Sequence, residues 1–155
     1  MTDTPAPKLE VGSIGWCDLT VPNADAVRDF YSAVVGWTHT LVAMGEYNDY
    51  CMNQPGNGKT IAGICHARGG NADIPPQWLM YVTVESLDAS LALVPARGGS
   101  VVRPPKGNVV SGRYAIVQDP AGALIMLFQP PGCACWPPSG TSVPQSCIAT
   151  WPPSP

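Results

Sequence analysis

The chain has 155 residues, a formal net charge of −3 and a pI near 5.1. That balance excludes the basic footprint of a nucleic-acid binder, and no apolar run is long enough to span a bilayer. The opening Met1-Thr-Asp-Thr-Pro-Ala-Pro7 lacks the regions of a signal peptide, so a cytoplasmic protein is expected, as one domain or two half-domains around a shared core.

Residues 1–11 read as a flexible arm. Ile14–Val21 is the first strand, and its alternation puts Cys17, Leu19 and Val21 on one face and Trp16, Asp18 and Thr20 on the other. Asn23 suits an N-cap and Asp25 the first turn of a helix, with Val27, Phe30, Tyr31 and Val34 as its apolar stripe and Gly36 as its stop. Strands follow at 37–44, 47–53 and 59–66, parted by Gly45-Glu46 and by Gln54-Pro-Gly-Asn-Gly58. A Gly/Asn/Pro linker then covers 68–76.

The same order recurs. Val21 aligns with Val84, Thr20 with Thr83, Asp25 with Asp88, Ala33 with Ala96 and Gly36 with Gly99. In the second copy Leu79, Tyr81 and Thr83 take the inward face and Met80, Val82 and Val84 the helix side. Ser86 caps a helix with Leu87, Leu91 and Val94 as its stripe, and Pro95 predicts a kink or early end. Ser100–Arg103 starts a strand, 104–110 is a loop, and 113–118 and 123–129 form a hairpin about Asp119-Pro-Ala-Gly122. The expected fold class is α+β: two tandem β-α-β-β-β modules, residues 12–67 and 77–129, forming a cupped mixed sheet with helices outside.

Residues 130–155 are rich in Pro, Ser, Gly, Cys and Trp and read as an irregular tail. Cys17, Cys51 and Cys65 fall in strands as small hydrophobes, while Cys133, Cys135 and Cys147 lie in the tail. No Cys-x-x-Cys pair suggests zinc. Adjacent strand residues point to opposite faces, which argues against a Cys65–His66 thiol–imidazole pair.

The helix ending Asp29-Phe-Tyr-Ser-Ala-Val-Val-Gly-Trp37, the segment Pro76-Gln-Trp-Leu-Met-Tyr-Val-Thr-Val-Glu85 and the closing Gln118-Asp-Pro-Ala-Gly-Ala-Leu-Ile-Met-Leu-Phe-Gln129 resemble the vicinal oxygen chelate superfamily. This is the glyoxalase, bleomycin-resistance and extradiol-dioxygenase group. The resemblance implies a divalent metal held by His, Glu or Gln on the first and last strands of each module. Carried over by register, those positions are Trp16, Gly63, Leu79 and Met126. None is a hard oxygen or imidazole ligand, and Met126 is a soft thioether. The expectation is therefore no metal and no cofactor.

Inward positions then become the expected ligand-binding set: Trp16, Asp18, Thr20, Leu79, Tyr81, Thr83, Arg113, Leu124, Met126 and Phe128. Trp16 offers a stacking face; Arg113 is a candidate partner for Asp18, Asp119 or a ligand anion. The alternative is that the set is packed core. The expected function is metal-independent binding of a small, largely apolar or aromatic molecule, a cationic one included, as the drug-sequestering members resembled here would do. A metal-free lyase or isomerase with Asp18 as base and Tyr81 as acid, or a non-catalytic dimerising module, is the alternative. A homodimer is expected, with no nucleic-acid or membrane partner.

Overall fold

A computed structural model describes residues 10–109 and 112–131. The tail from residue 132, with Cys133, Cys135, Cys147, Trp136 and Trp151, and the first nine residues of the expected arm lie outside the described residues.

The elements in chain order are β1 (Ile14–Val21), α1 (Ala24–Val35), β2 (Thr38–Ala43), β3 (Asn48–Asn53) and β4 (Thr60–His66), then a 3-10 turn at Gly69–Asn71. They continue with β5 (Trp78–Thr83), α2 (Leu87–Ala96), β6 (Ser100–Asn108), β7 (Gly112–Gln118) and β8 (Leu124–Gln129). In the first half β2 pairs antiparallel with β3, β3 antiparallel with β4, and β4 parallel with β1. In the second, β6 pairs antiparallel with β7, β7 antiparallel with β8, and β8 parallel with β5. The two β-α-β-β-β modules thus share one topology. Asp18 pairs with Gly63 as Tyr81 pairs with Met126, so the offset of the sequence repeat is kept in the strand register.

The chain divides into two compact units. Among the described residues, 16–78 form one, and 10–15 together with 79–131 form the other. The start of β1 therefore goes with the second half: the Thr83 carbonyl accepts from the Gly12 N–H at 2.8 Å, and the Thr83 N–H donates to Ser13 at 3.0 Å.

In the first unit the core is Leu19, Val21, Ala24, Tyr50, Met52, Ala62 and Ile64, with Val27 and Tyr31 of α1 packed against it. Phe30 and Val34, expected in the buried stripe, are instead 57% and 65% exposed. A helix on one sheet face buries a limited arc, and Val27 and Tyr31 occupy it. Asn23 makes no side-chain cap bond, although its carbonyl accepts from Val27 N–H. Gly36 ends α1 at φ 81°, the left-handed conformation that an L side chain resists. Nothing lies within 4 Å of a Cβ added there. Gly36→Ala therefore carries only the backbone penalty, a loss of about 1 kcal/mol that urea denaturation will read.

In the second unit Ser86 Oγ accepts from Ala89 N–H at 3.3 Å, and α2 stops one residue past Pro95. Met80, expected on the helix side, is 43% exposed. One expectation needs correction. Residues 104–108, read as loop, continue β6, because register shifts at Val101–Arg103 and Arg103–Lys106 absorb Pro104 and Pro105, which cannot donate to a ladder. Among the described residues no helix is long and apolar enough to cross a membrane.

Candidate functional site

Alternation along β1 sends Trp16 and Asp18 to the same face, and their side chains meet there. The Trp16 indole N–H donates to Asp18 Oδ1 at 2.6 Å. Across the parallel ladder sits Gly63, and a Cβ built on it would come within 2.2 Å of Asp18 Oδ1 and 3.6 Å of the Trp16 ring. The carboxylate occupies the space that a side chain at residue 63 would need. Asp18 is only 5% exposed, whereas Trp16 keeps part of its ring in solvent. Thr20, on the same face, is buried.

Cys51 pairs with Gly63 from the other side, and Cys65 pairs with Thr20, so both thiols share the face of Asp18. Burial, reinforced by the Asp18 charge, pushes the Cys51 thiol up to about 11 and raises Cys65 well above its ordinary range. These are protonated, inert thiols at neutral pH.

In the second unit the register gathers Tyr81, Met126 and Ile116 in one row and Thr83, Phe128 and Tyr114 in the next. Leu79, Thr83 and Met126 are buried, while Tyr81, Leu124 and Phe128 retain partial exposure. The expected set therefore separates into buried members and partly exposed ones. Arg113 does not take Asp18 or Asp119 as its partner. It pairs with Gln129 in the ladder, and its guanidinium makes two bonds to Asp88, in the first turn of α2, at 2.7 and 2.8 Å. That pairing holds the Asp88 carboxyl below its usual range.

A second polar cluster went unrecognised in the sequence. Asp49 Oδ1 accepts the His66 backbone N–H at 2.8 Å and lies 3.1 Å from His66 Nδ1, with both residues buried. On the far side of the ring, His66 Nε2 is 3.8 Å from Asp25, whose carboxylate accepts from Tyr50 Oη. The Arg28 guanidinium lies 4.5 Å from the centre of the Tyr50 ring. Burial raises the Asp49 carboxyl, an effect that the two His66 contacts oppose, and the Tyr50 bond lowers Asp25. The cluster ties β3 and the end of β4 to the first turn of α1. Its sequence signal was thin: Asp25 reads as a helix-start acid, and Asp49 and Tyr50 as members of the strand 47–53.

The implied metal positions fail a test of fit. Trp16 is committed to Asp18, the place of a side chain at Gly63 is filled by that same carboxylate, and Leu79 and Met126 are buried and apolar. Among the described residues no three His, Cys, Asp or Glu side chains converge as a metal would require.

The model of the Glyoxalase/Bleomycin resistance protein/Dioxygenase superfamily matches residues 13–127. The chain belongs to that superfamily. Among superfamily relatives, "Putative glyoxylase CFP32" of Mycobacterium tuberculosis is 31% identical over 121 residues, covering 78% of this chain and 45% of the relative. "Anthracycline biosynthesis protein DnrV" of Streptomyces peucetius is 29% identical over 133 residues, covering 76% and 47%. The chain spans about half the length of the curated relatives it matches. The solved structure of hypothetical protein BH1468 from Bacillus halodurans C-125 is similar in fold to this chain, with a TM-score of 0.50 at 11% identity over 81% of this chain and 99% of that one.

Proposed function

We propose that this superfamily member binds a small, flat, largely apolar or aromatic molecule without using a metal. The observation that carries the proposal is the Trp16–Asp18 pair: an aromatic plate, partly open to solvent, whose orientation is fixed by a buried carboxylate seated over Gly63. An indole held in one orientation stacks on a planar ligand at low entropic cost, and a nearby carboxylate favours positive charge on it. The similarity to an anthracycline biosynthesis protein supports a flat polycyclic ligand class.

Binding is favoured over catalysis by Asp18, because Oδ1 already accepts the Trp16 N–H and is shielded by its seat on β4. The expected homodimer belongs to the same proposal, and its mass is to be read by light scattering at assay concentration.

The test is calorimetric titration with proflavine as a flat cation and an anthraquinone sulfonate as a flat anion. Trp16→Ala is expected to weaken both by about tenfold, equivalent to about 1.4 kcal/mol. Asp18→Asn is expected to weaken the cation alone. Wild-type affinity for both probes in Trp16→Ala would remove the proposal.

A further inference from the structure

α1 carries a second apolar stripe, on the side away from its sheet. Ala26, Phe30, Ala33 and Val34 follow helical spacing and all are exposed, Phe30 by 57% and Val34 by 65%. Where the helix ends, the stripe runs into a group of rings. Tyr31 stacks on Trp37 with centroids 5.6 Å apart, and Trp78 meets both edge-on at 5.3 and 6.1 Å. Phe30 meets Tyr31 edge-on at 5.2 Å. The Trp78 indole N–H donates to Tyr31 Oη at 2.9 Å, which fixes the two rings relative to each other. Tyr31, Trp37 and Trp78 remain half-buried, so each has ring surface to offer. The charges beside the stripe are mutually occupied, Arg28 with Asp29 at 2.8 Å. A contiguous apolar face of this kind marks an interaction surface.

We propose that this aromatic face docks the proline- and tryptophan-rich segment 130–155 of the same chain. The segment contains no charged residue and twice repeats Trp-Pro-Pro, at 136–138 and 151–153. Proline-rich sequence favours the polyproline II helix, which is recognised by grooves of fixed aromatic rings. The uncharged segment matches the uncharged stripe. Reach is sufficient: twenty residues at the polyproline II rise of about 3.1 Å each could span roughly 60 Å. A globular chain of this length has a radius of gyration of only about 15 Å. This surface lies apart from the Trp16–Asp18 pair, and the inference does not rest on the proposed ligand.

The test uses the full chain labelled with 5-fluorotryptophan, whose five tryptophans are assigned by single Trp→Phe substitutions. Trp136→Ala and Trp151→Ala are expected to shift the Trp37 and Trp78 resonances while that of Trp16 holds. Phe30→Ser, at an exposed position, is expected to move the Trp136 and Trp151 resonances towards those of free tryptophan. Trp37 and Trp78 resonances unmoved by both tail substitutions would overturn the proposal. Shifts that disappear on dilution would also overturn it, by placing the segment of a second copy on the face.

Discussion

Between about pH 9 and 11 the protein is expected to lose stability by about 3 kcal/mol through Cys51 alone. Burial, with the Asp18 charge second, moves this thiol from an ordinary value of 9.0 to about 11. A group whose folded pKa is raised holds its proton longer in the native state than in the unfolded one. The unfolded state then binds fewer protons in that window, so stability falls as pH rises. Below about pH 9 the penalty is absent, and above about pH 11 it is complete. Cys65, also raised by burial, and Tyr114, pushed up to about 12 by burial, add to the slope in the same direction. Thermal melts by circular dichroism from neutral to alkaline pH will read it. Cys51→Ala should flatten part of the decline, and a wild-type melting temperature that stays level across the window would refute the assignment.

Gly63→Ala is expected to destabilise the protein by about 2 kcal/mol, the range for losing a hydrogen bond to a buried charge. The sign is informative, because glycine to alanine in a strand ordinarily stabilises slightly. Here the new methyl would meet Asp18 Oδ1 at 2.2 Å, so the carboxylate has to swing away and give up its 2.6 Å bond to Trp16. The decisive form is a double-mutant cycle in urea. In an Asp18→Ala background the same glycine substitution should cost little or nothing. An equal cost in both backgrounds would mean that Gly63 is needed for some reason other than seating Asp18.

Much of the scaffold was legible because it follows from period and punctuation. Ile14–Val21 forms the strand expected there, and Gly36 stops α1 as its position implied. The repeat offset that linked Asp18 to Tyr81 proved to be a strand register, since strands pair through the backbone and preserve spacing. β6 was less legible: a Pro-Pro pair signals a break in a strand, and only the partner strand shows that bulges accommodate it. Which face Trp16 and Asp18 occupy could be read from β1. That the two would bond to each other over a missing side chain could not, because this depends on β4 lying beside β1. Arg113 shows the same limit. Its partner Asp88 is 25 residues away on α2, and no local pattern pairs a hairpin residue with a helix start. The Asp49–His66–Asp25–Tyr50 cluster is wholly tertiary, drawing on three elements that the sequence treats separately.

The two hydrogen bonds that Thr83 makes to Gly12 and Ser13 bear on how the duplicated chain can be divided. A protease cutting within residues 68–76 would follow the boundary between the sequence repeats. The amino-terminal fragment would still carry the residues that satisfy Thr83, so the nicked halves would stay clasped rather than separate. By the same logic, a gene cut between the repeats would express a second half with one backbone donor and one acceptor bared at Thr83, and a first half with a strand end lacking its partner. The duplication is tandem as text but interlaced as an object, and viable split or permuted forms have to keep residues 12–15 with the carboxy-terminal half.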